Sequence, residues 1–194
     1  LPLGGLAGTL SMGGEGAPDE TVTMERLAKL AAQSNTQVRY EVTGEAGRGG
    51  MGAVLKVFDA DLRRTLAMKV ILGAEKEPKG STDVGAGVLS RFLEEAQVTG
   101  QLDHPGVVPV HELGVDAEGR AYYTMPLIQG RELKAVIRQV HGDGTEWSLT
   151  RAVGVILKVC EAMSYAHDKG VVHRDLKPAN VMVGDYGEVY VMDW

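Results

Sequence analysis

The sequence predicts an α+β fold: a strand-rich first part arranged round one helix, then a mostly helical part that carries a loop dense in polar groups. Three observations predict it. Between residues 38 and 126, β-favouring segments alternate with turn residues and enclose a single stretch of helical period. Residues 149–167 form the longest helical run in the chain. Residues 171–194 then return to short apolar segments, which bracket Asp175, Lys177, Asn180 and Asp193 in a tight loop and at a strand end.

The chain has 194 residues, 44% of them hydrophobic, which is enough for one core or two small lobes. A formal net charge of −6 and the lack of a basic stripe argue against nucleic acid as the main partner, because binding a phosphate backbone needs clustered Lys and Arg. The single cysteine, Cys160, rules out an internal disulfide and fits a reducing compartment; its place in an apolar helical pattern predicts that it is buried. No run reaches the length of a membrane span, and the first residues lack a signal peptide's basic start and apolar core, so a cytoplasmic location is expected. Because residue 1 is Leu and the last, Trp194, directly follows Asp193, the chain is expected to be a piece of a longer polypeptide.

Residues 1–37 open with a Gly-rich stretch expected to be a flexible leader, within which Val22, Met24, Leu27, Leu30 and Ala31 recur at the spacing of a short helix. Strand-like segments follow at 39–42, 53–58 and 65–72. Between the first two lies Gly47-Arg48-Gly49-Gly50-Met51-Gly52-Ala53-Val54. Glycines at 47, 49 and 52 let backbone approach a phosphate and leave amides free to donate to it. The same letters serve a dinucleotide-binding turn or an ordinary hairpin. A dinucleotide fold needs a helix directly after the glycines, whereas 53–58 is β-rich and leads into the turn-like Asp59-Ala60-Asp61; a phosphate-cradling hairpin is favoured.

Ala67-Met68-Lys69-Val70-Ile71 sets one cation in an apolar strand, where the plain reading is an edge lysine with its amine in water. Residues 73–87 lack a period and read as a solvated loop. Leu89, Phe92, Leu93 and Ala96 then mark a helix, on which the adjacent acids Glu94 and Glu95 point about 100° apart, so one of them at most faces inward. Two further strands are expected at 107–115 and 120–126, a short helix at 133–140 and a loop up to 146. His104 and His111 lack partners at metal-ligand spacing. Over 149–167, Leu149, Ala152, Val153, Ile156, Val159, Cys160, Met163 and Ala166 form the expected core face, and Asp168-Lys169-Gly170 ends the helix. Two acids and an amide near one point, Asp175, Asp193 and Asn180, suit a hard cation such as Mg²⁺.

His173-Arg174-Asp175-Leu176-Lys177-Pro178-Ala179-Asn180 matches the catalytic loop of protein kinases residue for residue. The chain resembles the protein kinase family, and its bacterial, eukaryotic-like serine/threonine members in particular. The resemblance runs in order from the glycine hairpin at Gly47 through the strand lysine, helix glutamate, hinge and catalytic loop to Asp193-Trp194. It implies a two-lobed kinase-like fold, with an N-terminal β-sheet lobe at 38–126 and a hinge plus partial helical lobe at 127–194. By that resemblance Gly47, Arg48, Gly49, Gly50, Met51 and Gly52 would cover the phosphates of ATP, and Lys69 would hold the α and β phosphates with Glu95 as its partner. Val54, Ala67 and the gatekeeper Met125 would line the adenine pocket, Leu127 would lie in the hinge, and Met182 is also expected at the nucleotide.

The resemblance further implies that Asp175 is the catalytic base, that Lys177 touches the transferred phosphate, and that Asn180 and Asp193 bind Mg²⁺. Lysine at position 177 resembles the serine/threonine branch, and Trp194 stands where the family has Phe. Arg174 would pair with a phosphorylated activation loop. The implied activity is transfer of the ATP γ-phosphoryl group to Ser or Thr of protein substrates, with autophosphorylation or a dimer as further expectations. Alternatives are a non-catalytic nucleotide-binding or scaffold module of kinase descent, and a dinucleotide-dependent oxidoreductase that would bind NAD.

Overall fold

The structure is a computed structural model that describes residues 39–49, 52–71, 82–142 and 147–194, together with Glu25 and Ala28. The expected leader over 1–37 otherwise lies outside the described residues; Glu25 and Ala28 are helical and exposed. Gly50, Met51 and the loop expected up to residue 146 also fall outside them, from 143 onward in the last case.

Five strands rich in β-branched and aromatic residues build the first lobe: Tyr40–Gly49 (β1), Gly52–Asp59 (β2), Arg64–Ile71 (β3), Glu112–Val115 (β4) and Ala121–Pro126 (β5). They pair antiparallel in the order β1-β2-β3-β5-β4. Because side chains alternate across a strand, both faces of β3 are used. Leu66, Met68 and Val70 join Val57 and Tyr122 on one side, and Ala67 joins Tyr123 and Met125 on the other. A strand covered on both faces reads as continuously apolar, which is why Lys69 stands out in it.

Helix α1, Thr82–Thr99, closes the second of those faces with Phe92, Leu93 and Ala96. It begins earlier than the sequence suggested, so residues 82–87 are helix rather than loop. Gly85 and Gly87 each weaken helix propensity by about 1 kcal/mol relative to Ala, which erases the local signal. The strand expected over 107–115 is likewise confined to Glu112–Val115, since Pro109 cannot donate to a ladder. Upstream of it Val107 makes a single parallel bridge to Val191, and the Val191 amide donates to the Gly106 carbonyl at 2.8 Å.

The stem of the β1–β2 hairpin is clamped by a polar network. Arg39 donates from Nε and a terminal nitrogen to the two carboxylate oxygens of Asp59, at 3.1 and 3.0 Å, and from its other nitrogen to Glu112 at 3.1 Å. The hydroxyl of Tyr40 donates to the same Glu112 oxygen at 2.5 Å. The Asp59 side chain has no exposed surface and also accepts from the amides of Asp61 and Leu62, at 3.2 and 3.4 Å. Strands β1, β2 and β4 are thereby joined at one end of the sheet.

The second lobe holds a small antiparallel sheet of Arg131–Glu132 (β6), Val181–Val183 (β7) and Val189–Val191 (β8), with helices Leu133–His141 (α2) and Leu149–Asp168 (α3) and a 3₁₀ turn at Pro178–Asn180. Ser148 caps α3 by accepting the Arg151 amide at 3.2 Å, and Gly170 at φ 77° follows its end. The buried stripe of α3 is Val155, Val159, Ala162 and Ala166; the first three pack with Trp147 and the valines of β7 and β8, and Ala166 packs with Leu102 and Val107. The expected core face is corrected in part: Leu149, Val153 and Ile156 lie on the exposed side, as does Cys160. Both stripes of α3 are apolar, so periodicity could not say which one is covered. Leu127, Ile128, Tyr190 and Met192 pack against the α1-side cluster and join the lobes. Among the described residues no helix is long and apolar enough to cross a membrane.

Candidate active site

Strand register and helix period bring together residues far apart in sequence. Lys69 on β3 lies directly opposite Tyr123 on β5, so both side chains rise from the same sheet face toward α1. There Glu95, one turn after Phe92 and Arg91, meets them: Lys69 Nζ lies 2.5 Å from Glu95 Oε1 and 3.2 Å from Asp193 Oδ1. Lys69 and Glu95 are 11% and 8% exposed, so this is an ion pair in a dry setting, not an edge lysine in water. Glu94 points to solvent and accepts from Ser90 at 3.2 Å.

The Tyr123 hydroxyl donates to the same Glu95 oxygen at 2.7 Å. Burial and the Glu95 charge beside it push the Tyr123 phenol well above its ordinary value, which keeps it a donor. Sequence reasoning passed over this residue. Its strand carries three successive hydroxyls, on Tyr122, Tyr123 and Thr124, so only the register that puts Tyr123 opposite Lys69 singles it out.

The second group sits on the loop after α3. Lys177 Nζ donates to Asp175 Oδ2 at 2.6 Å, and the Asn180 amide nitrogen donates to the Asp175 carbonyl at 3.0 Å and to Oδ2 at 3.3 Å. The Lys177 hydrogen bond, outweighing desolvation, holds the Asp175 carboxyl below its usual range. Arg174 is forced to φ 63° by a three-residue turn in which the Asp175 amide donates to the His173 carbonyl at 2.8 Å. Asp193 also adopts a left-handed φ, 57°. Strained non-glycine backbone of this kind, about 1–3 kcal/mol each, is found where surrounding structure over-determines it.

Met192 anchors the segment that carries Asp193, the partner of Lys69, to the loop of the second group. Its amide donates to the Asn180 carbonyl at 2.8 Å, and its own carbonyl lies 2.8 Å from His173 Nε2, which therefore carries the hydrogen. The buried His173 ring packs on Trp194 at 5.0 Å, and Trp194 Nε1 donates to the Val191 carbonyl at 3.0 Å.

Around the mouth of the site, Val54, Ala67, Met125 and Leu127 share one hydrophobic cluster. Met182 stands apart from it, half-buried and opposite Tyr190 in the β7–β8 ladder. At the hairpin tip a Cβ on Gly47 or Gly49 would meet open space, whereas on Gly52 it would collide with the Val70 carbonyl. Gly52 thus permits the close approach of β3. Arg48 is exposed and paired with Glu45 at 2.7 Å.

The donor set fits a hard cation. With its nitrogen committed to Asp175, Asn180 has its amide oxygen left for coordination, and Asp193 adds a carboxylate that is 60% exposed. Mg²⁺ is held by one or two such oxygens and completes its shell with water and phosphate. No group of three or more His, Cys, Asp or Glu arranged for a metal occurs among the described residues.

This order of a glycine hairpin, a Lys–Glu pair and an Asp-Asn loop coincides with a family model, that of the protein kinase domain, which matches residues 40–194. The chain belongs to the protein kinase family. Among relatives of this kinase domain, the serine/threonine-protein kinase PknD of Protochlamydia amoebophila is 38% identical over 163 residues, covering 80% of this chain and 16% of that protein. PknD of Chlamydia trachomatis serovar D is 37% identical over the same length, covering 80% of this chain and 17% of that one. The chain thus spans about a sixth of the length of these curated relatives. The solved PknI kinase domain of Mycobacterium tuberculosis superposes with a TM-score of 0.58 at 24% identity, covering 81% of this chain and 60% of that one, which supports the two-lobed fold.

Proposed function

We propose that this kinase domain transfers the γ-phosphoryl group of ATP to Ser or Thr hydroxyls of protein substrates, with Mg²⁺ as the metal, and acts in the cytoplasm. The observation that carries the reading is the Lys69–Glu95 pair, with Lys69 also reaching Asp193, beside a loop that joins Asp175, Lys177 and Asn180. When bound, Mg-ATP supplies the phosphoryl group and neutralises its developing charge. Lys69, aimed by Glu95, holds the nucleotide phosphates, and Asn180 and Asp193 offer oxygens to the metal. Val54, Ala67, Met125 and Leu127 give the base an apolar slot.

A carboxylate held below its usual range is a weak proton acceptor and a good hydrogen-bond acceptor. Asp175 accordingly orients the substrate hydroxyl and takes its proton late, while Lys177 offers a charge to the transferring group. Lysine at 177 and the serine/threonine-kinase names of the relatives support the choice of hydroxyl.

Asp175→Asn tests the assignment. Phosphate transfer is expected to fall by roughly 10²- to 10⁴-fold with nucleotide affinity held, the range for loss of a general base. Equal transfer by the variant overturns the role of Asp175. A wild-type protein that binds Mg-ATP and transfers nothing is instead the non-catalytic module.

A further inference from the structure

We infer that Tyr123 is a positioning residue of this site: its hydroxyl tethers Glu95, and with it helix α1, to the sheet independently of Lys69. This deepens the kinase reading and rests on it. The phenol donates to Glu95 Oε1 at 2.7 Å, the oxygen that also meets Lys69 Nζ at 2.5 Å. One carboxylate oxygen on the helix is thus gripped from two adjacent strands, β3 and β5, whose residues 69 and 123 are register partners.

The ring cannot drift. Tyr123 is 4% exposed, lies opposite Leu113 of β4 in the ladder, and packs on Phe92 of α1 with ring centroids 5.2 Å apart. Lys69 Nζ sits 5.9 Å from the same ring centroid. A hydrogen bond to a charged group is among the stronger ones, and burial removes the competing water.

The division of labour follows from chemistry. Lys69 divides its three N–H donors between Glu95 and the nucleotide phosphates. Tyr123 has no phosphate to serve, so its bond holds Glu95 and α1 inward whether or not a nucleotide is bound. The inward state is the one in which Lys69 is aimed, and the hydroxyl raises its population. When the competent state is fractionally populated, the apparent dissociation constant is the intrinsic one divided by that fraction, whereas saturating ligand restores the state.

The test is Tyr123→Phe in the natural full-length protein, which keeps the ring and deletes the hydroxyl. Expected are a rise of roughly tenfold in amide exchange across residues 89–99 and a similar rise in KM for Mg-ATP, with kcat within about twofold, because the bond shifts a population rather than a chemical step. In a Glu95→Ala background, where the acceptor is gone, the same change should raise neither quantity. If Tyr123→Phe leaves exchange and KM unchanged while Tyr123→Leu disturbs both, the residue only packs and the tether is refuted. The exchange readout decides the tether even for a protein that transfers no phosphate, so the two readings fail separately.

Discussion

Asp59→Ala is expected to remove about 2–3 kcal/mol of folding stability, although the residue lies at the opposite end of the β1–β2 hairpin from Gly49 and Gly52. The figure starts from the cost of leaving one member of a buried ion pair without its partner, ~3–5 kcal/mol. Asp59 has no exposed side-chain surface, and its loss strands two Arg39 donors and two backbone amides. Arg39 is 32% exposed and keeps its bond to Glu112, so water and that carboxylate take up part of the loss. What remains is still a large share of a total stability of about 5–15 kcal/mol. Urea unfolding should show a lower midpoint at constant slope.

The pH dependence gives a second reading of the same clamp. The Arg39 guanidinium holds the folded-state Asp59 carboxyl below its usual range, outweighing burial. A depressed folded value means stability that is present above the unfolded value, near ~4, and lost as pH falls through the folded one. The gap between wild type and Asp59→Ala should therefore close on acidification below about pH 4. A stability loss under ~0.5 kcal/mol, the scale of ordinary surface changes, together with an unchanged acid limb, would refute the reasoning.

Three other outcomes follow from the geometry. Gly52→Ala is expected to destabilise the protein by about 1–3 kcal/mol through collision with Val70, whereas Gly49→Ala should leave the melt within ~0.5 kcal/mol and act, if at all, on nucleotide KM. Thermal melts of both separate the roles. Lys69→Met should abolish most nucleotide binding in an Mg-ATP titration and lower stability by up to about 3 kcal/mol, since Glu95 keeps the Tyr123 donor; undiminished phosphate transfer would remove Lys69 from the mechanism. The 194-residue polypeptide made by itself exposes Leu149, Val153, Ile156 and Leu157 on α3, so light scattering should reveal self-association that Leu157→Lys reduces.

The parts of the fold legible in the sequence were those written in local chemistry. The glycine hairpin, the lysine strand, the Asp-Asn loop and the stop at Gly170 are runs of adjacent residues, and Glu95 could be told from Glu94 once a partner for Lys69 was sought. The start of α1 was hidden by Gly85 and Gly87, whose propensity cost is outweighed by packing further along the helix. The covered face of α3 was hidden for the opposite reason, a surplus of apolar residues on two stripes. Exposed Cys160 belongs to the same misreading. The Tyr123–Glu95 bond and the Arg39–Asp59–Glu112 clamp span 20 to 73 residues and exist only through strand register, which no short window contains.

Under the proposed function, Met192 would set a gauge for the metal. Its amide is fixed to the carbonyl of Asn180, and the next residue along is Asp193, so the backbone from which two prospective oxygen ligands project is held at one spacing. His173 steadies that gauge from the other side through the Met192 carbonyl. Slackening it would keep both oxygens in the site and let their separation vary. Mg²⁺ demands near-ideal octahedral geometry, while Ca²⁺ tolerates irregular shells. A worn gauge would therefore show itself as lost discrimination between the two ions before it showed as lost binding.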